Sequence, residues 1–357
     1  MVLAIFFSFR LQFVHNLGGR KMDIKNGSGL SDDTAQAAGE NRDLKKCNID
    51  NYSIACDSLQ EEISGKWTAK RKLVENLSAS YKRLGYDGKS ERTAACGTWL
   101  QFFLADGAAP KLHNANFCRD RLCQLCNWRR SLKLYTQLSL IMDVADERGY
   151  RYIFLTFTAR NCKGEDLGKT VDNFLGGWKK LVHNYRDVRR ALVGSFRSLE
   201  VTYNSKCDTY HPHLHVVAAV DKSYFRSGYI SQAEWAAAWA DACGLDYIPV
   251  TDVRVVRSRG KKCQIRKIVC EVAKYMVKGA DIASDNVVYW LLAGLSGRRL
   301  VSFTGCFSKI RKELKLEDFE NGDLVLVGNE EIRSDVAGIL INYRWLGGEY
   351  VMDSVVL

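Results

Sequence analysis

Apolar positions along the chain recur at two alternating periods, one of three to four residues and one of two, and that rhythm predicts its elements. Residues 67–86, WTAKRKLVENLSASYKRLGY, predict a basic amphipathic helix stopped near Gly85. A second helix over 127–147 carries Leu132, Tyr135, Leu138 and Met142 on one face and ends before Gly149. Residues 152–158, YIFLTFT, are β-branched and aromatic, as a strand requires. A helix over 166–185 follows, then strands over 195–203 and 213–220 joined by the polar turn Asn204-Ser205-Lys206. Next come an alanine-rich helix over 231–243 with Ser231 as its N-cap, a short strand over 252–256 and a helix over 265–278. Strand, helix, strand, strand, helix, strand is the ferredoxin-like order of an α+β fold: an antiparallel sheet with flanking helices. Four regions are expected: a mobile leader over 1–65, a helical, cysteine-rich module over 66–149, the α+β domain over 150–300 and a C-terminal extension over 301–357, small and β-containing.

Composition narrows the partner more than the fold. Of 357 residues, 46% are hydrophobic and 26% charged, ordinary for a chain that buries a core, and with 3 prolines there is no room for long proline-rich linkers. The formal charge of +11 favours a polyanion, because phosphate contacts release condensed counterions. The first residues, MVLAIFFSFRLQFV, are apolar, but they lack a basic leading region and a small-residue cleavage site, and Arg10 interrupts them. A bilayer span takes about 20 residues, so no membrane role is expected. We expect an upstream start codon, with Met22 opening the natural protein, and a cytoplasmic chain whose cysteines serve as thiols or metal ligands.

Only 6 histidines occur, and His211, His213 and His215 cluster in Tyr210-His-Pro-His-Leu-His. On a strand, His213 and His215 project to one face while Leu214 and Val216 enter the core. Two imidazoles on one face begin a divalent-metal site. The preceding strand sets Glu200 and Thr202 on its polar face, which makes Glu200 a candidate third ligand. Such a site keeps positions open where a phosphate oxygen can be polarised.

Glu271, Tyr275 and Lys278 are spaced i, i+4, i+7 and share one face of the last predicted helix. A phenol with a pKa of about 10 becomes a nucleophile at neutral pH only where positive charge stabilises its phenolate. Lys278 and a metal-bound phosphate would supply that charge, and Glu271 can serve as a general base. Basic residues gather just upstream at Arg254, Arg257, Arg259, Lys261, Lys262, Arg266 and Lys267, a candidate surface for DNA phosphates that positions without specifying sequence. Separately, among 12 cysteines, Cys118, Cys123 and Cys126 stand close enough for a structural zinc, whose fourth ligand would be Cys96 or His113.

In this order, the strand at 152–158, His213-Leu214-His215 and the Glu271-to-Lys278 segment resemble the three motifs of plasmid rolling-circle replication initiators. These belong to the His-hydrophobic-His endonuclease class, and the closer resemblance is to the initiators with glutamate four residues before the tyrosine. Cys96-Gly97-Thr98-Trp99-Leu100 and Asn116 to Cys123 also resemble that family, so the likeness spans roughly 90–310; Gln124 stands where members often carry proline. The resemblance implies that Tyr275 attacks a phosphodiester of the plasmid origin, linking itself to the 5′-phosphate and freeing a 3′-hydroxyl for a polymerase. It implies that Glu271 activates water for the terminating cleavage, and that His213 and His215, with Glu200, hold Mg or Mn. Both double- and single-stranded origin DNA would be partners. With no ATP-binding glycine-rich loop in the chain, a host helicase is a further implied partner. Competing readings are a relaxase or single-strand transposase of the same class, a zinc-dependent DNA-binding protein without catalysis, and a metal-dependent hydrolase with no covalent step.

Overall fold

The nearly continuous apolar run YIFLTFT gives one strand two buried faces, and the larger sheet forms around it. The computed structural model describes residues 59–105, 108–256, 262–273, 282, 284–318, 320–328 and 338–356, with the side chains of 262–265 excepted. Strand β3 (Arg151–Thr158) lies between β5 (Thr209–Val220) and β6 (Thr251–Val256); β4 (Leu192–Asn204) and β7 (Val301–Thr304) extend the sheet beyond β5. The order β6-β3-β5-β4-β7 is antiparallel throughout, and its first four strands have the ferredoxin-like order expected from the sequence.

Helices α4 (Gly164–Asn184) and α6 (Gln232–Cys243) cover one face, where Phe157 packs against Trp178 and Trp239. Burying one such aromatic contributes about 2–3 kcal/mol. Ser231 caps α6, as the sequence predicted, and the structure adds a reciprocal capping box with Glu234. The opposite face starts apolar, with Tyr152 stacked on Phe307 of α9 (Gly305–Glu313), and turns polar along β3 at Thr156 and Thr158. Helix α7 (Lys262–Val272) packs on that face and against α3 (Gln124–Glu147).

A second antiparallel sheet, β2-β1-β8-β9, joins β1 (Trp99–Ala105) and β2 (Lys111–Ala115) to β8 (Gly338–Leu346) and β9 (Glu349–Val356). Helices α1 (Thr68–Arg83) and α2 (Asp87–Ala94) precede it, and α5 (Arg186–Ala191) and α8 (Asp285–Leu295) complete the labelled elements.

Two expected boundaries move. Residues 1–58 lie outside the described residues, but the leader does not run to 65, because Leu59 and Ile63 are buried core. Nor is 301–357 an extension of its own: β7 pairs with β4, and β8 pairs with β1. The physical reason is edge satisfaction, since β1 and β4 would otherwise present unpaired backbone along an apolar strand. Helix α3 further ties in the segment after α9. Arg129 donates to the carbonyls of Leu324 (2.9 Å) and Val325 (2.6 Å), and Lys133 meets Glu317 at 2.6 Å. These buried cations therefore hold the chain's own backbone.

Candidate metal centre and nuclease face

Register fixes which side chains meet on the polar end of the large sheet. His213 lies opposite Glu200 on β4 and Thr158 on β3, and His215 lies opposite Ser198 and Thr156. Glu200 is buried and its Oε2 stands 3.4 Å from His215 Nε2, so it does not serve as a solvated surface charge. His215 is held on three sides: Thr156 Oγ1 meets its Nδ1 at 3.2 Å, and its ring stacks between Phe154 (5.9 Å) and His213 (6.1 Å). The rings of His213 and His215 are parallel within 3°, as same-face strand positions require. His211 joins the row 4.1 Å from His213, and burial pushes its pKa down.

Thr156 carries a role the sequence reading missed. Its signal was present, as the polar position on the inward alternation of YIFLTFT, aligned with the histidine strand. Asp252 was missed likewise. It pairs in register with Thr156 and takes Arg254 Nε at 2.5 Å, while Arg254 Nη1 stands 3.8 Å from Glu271 on α7. A row therefore crosses the face from Glu200 through His215 and Thr156 to Asp252, Arg254 and Glu271. Arg254, expected as a phosphate contact, is half-exposed and stands near two carboxylates. Arg266 and Lys267 are exposed on α7. Tyr275, Lys278, Arg257, Arg259 and Lys261 lie outside the described residues, as does the side chain of Lys262.

The cysteine cluster is more compact. The sulfurs of Cys96, Cys118, Cys123 and Cys126 all lie within 4.8 Å of one another, so the four can hold a metal ion. His113 is exposed on β2 and is not part of the group, whereas Cys96 is. Among the described residues this is the set of three or more donors that converges so closely; the histidine–carboxylate set is wider. Its donors, two imidazoles and a carboxylate, nonetheless suit a divalent ion chemically.

No helix of the described residues is long and apolar enough to cross a membrane. The profile of a family described as replication protein matches residues 109–351, which include both the histidine strand and α7. A protein rep from Bacillus amyloliquefaciens is 38% identical over 309 residues, covering 78% of this chain and 91% of the relative. A protein rep from Lentilactobacillus hilgardii is 40% identical over 290 residues, covering 77% and 91%. One from Streptococcus pneumoniae is 37% identical over 272 residues, covering 74% and 84%. No solved structure matches.

Proposed function

This chain belongs to the replication-protein family, and from that premise we propose that it initiates rolling-circle replication of a plasmid by nicking its origin. The observation that carries the reading is the row from Glu200 and His215 to Glu271, which sets metal-type ligands and a candidate general base on one sheet face.

In this reading the Tyr275 phenolate oxygen attacks the scissile phosphorus. The bond from phosphorus to the 3′-oxygen breaks, Tyr275 keeps the 5′-phosphate, and the freed 3′-hydroxyl primes a polymerase. Lys278 stabilises the phenolate. His213, His215 and Glu200 would hold a Mg or Mn ion, which supplies polarisation of the phosphate. Thr156 fixes the orientation of His215, so that Nε2 rather than Nδ1 faces the ligand position. At termination Glu271 takes a proton from water, which then cleaves the returned origin without a second tyrosine; Arg254 keeps that carboxylate aimed across β6. Exposed Arg266 and Lys267, with Lys262, Arg257, Arg259 and Lys261, would hold DNA phosphates. Strand separation would come from a host helicase, and the reaction would take place in the cytoplasm.

The test is a labelled single-stranded origin oligonucleotide, Mn or Mg, and a denaturing gel. The parent is expected to form a protein–DNA adduct and Tyr275→Phe none. Cleavage that persists in Tyr275→Phe would replace this reading with metal-dependent hydrolysis. Glu271→Gln is expected to keep the adduct and lose the water-dependent second cleavage.

A further inference from the structure

We propose that Cys96, Cys118, Cys123 and Cys126 bind one structural zinc ion, which locks the region of α2, β1 and the start of α3 onto the C-terminal end of α8. The sulfurs already have the spacing of a single tetrahedral ion. Zinc at about 2.3 Å from each thiolate sets sulfurs about 3.8 Å apart. Here Cys96 and Cys123 are 3.5 Å apart, Cys96 and Cys126 3.6 Å, and Cys118 and Cys126 3.7 Å. That is too tight to surround a multi-iron cluster, whose bulk would hold its cysteines further apart.

The surroundings are those of thiolates rather than of apolar thiols. Three backbone N–H groups aim at the sulfurs: Cys118 to Cys96 at 3.4 Å, Arg119 to Cys126 at 3.2 Å and Asp120 to Cys118 at 3.4 Å. Such donors offset charge on sulfur, which four neutral thiols would not carry. Arg119 takes a left-handed φ of 60° to make its bond, a conformation that a non-glycine residue adopts at a cost. Gly97 completes the fit. Its φ is +69°, and a Cβ there would stand 2.5 Å from Leu125, between Cys123 and Cys126. All four cysteines are buried or nearly so, and each is a free thiol rather than half of a disulfide. Four oxygen-poor, soft donors with no open position define a closed structural site.

What the ion would hold follows from the next residues. Asp120 accepts from Tyr81 of α1 (2.9 Å) and from Lys89 of α2 (3.0 Å), and Arg121 donates to the carbonyls of Leu295 and Arg298, both at 2.7 Å. The knuckle Cys118–Cys126 therefore binds α1 and α2 on one side and the end of α8 on the other. This inference does not rest on the nicking reading.

The experiment is elemental analysis of the full chain, purified without added metal and dialysed against a chelator, followed by cobalt exchange. About one tightly held zinc per chain is expected, as one four-thiolate site requires. The cobalt form should show the thiolate charge-transfer and intense visible bands of tetrahedral sulfur ligation. Zinc should fall away in Cys126→Ser and persist in His113→Ala, in Tyr275→Phe and in the double variant His213→Ala/His215→Ala. If Cys126→Ser does not fold, the parent's metal content and cobalt spectrum still decide. A parent with no retained metal, an iron-loaded parent, or zinc that is lost with the histidines would each overturn the proposal. Loss of adduct in Tyr275→Phe with zinc retained separates this result from the fate of the nicking reading.

Discussion

The cysteine cluster and the histidine face are both donor sets, and they differ in how much the fold has finished them. The four thiols converge within 4.8 Å, sit in the interior and receive backbone donors from three successive residues. The histidine face sets Glu200 against His215 and His211 against His213, with Thr156 on one ring nitrogen of His215 and Phe154 and His213 on its ring faces. A site that closes on an ion serves stability, whereas one that leaves positions open serves chemistry. The same chain thus carries one tightly converged donor set and one wider one.

That contrast breaks first at its strongest point. Removing a cysteine should undo the converged set, so Cys126→Ser is expected to lose on the order of 5 kcal/mol or more in a urea melt. If its melt overlays the parent's, the two regions do not differ as described. His215→Ala should do the reverse: cleavage falls about a hundredfold or more while the melt moves little. Next in size, Thr156→Val keeps shape but removes the hydroxyl at Nδ1. It should weaken manganese binding about 10- to 100-fold, read by titration calorimetry with the cysteine-bound metal unchanged. The smallest effect belongs to the exposed surface. Lys267→Gln should lower the salt dependence of origin binding by about one counterion, with no change in cleavage-site choice.

The sequence made the large sheet legible because its periodicity and its chemistry agree. YIFLTFT is β-branched and aromatic and the histidines recur at every second position, so these strands and their order could be read without the structure. Glu200 was legible as a ligand candidate for the same reason, and its burial beside His215 follows from register. The second sheet was not legible as one unit, since β1–β2 and β8–β9 are each local pairs and only the long-range pairing of β1 with β8 joins them. The carboxylates around Arg254 were not legible, because a cluster of basic residues carries no information on which member faces an acid; only the β3–β6 register puts it beside Asp252 and Glu271. Arg129 and Lys133 show the same gap: their charge suggests a surface, but α3 turns them onto the carbonyls and carboxylate of 317–325. His113 was a reasonable fourth ligand by spacing alone, and strand β2 carries it to solvent.

The pairing of β1 with β8 has a consequence for synthesis. Leu104 finds its partner Ile339 only after the more than two hundred residues between them have left the ribosome. At about 5–20 residues per second, one edge of β1 waits on the order of ten seconds or more for β8. During that wait the larger sheet can assemble through β7, because its strands emerge close together. A nascent chain therefore carries its histidine face before β8 closes the other sheet, and premature termination before β8 would leave one edge of β1 unpaired for chaperones and proteases to recognise.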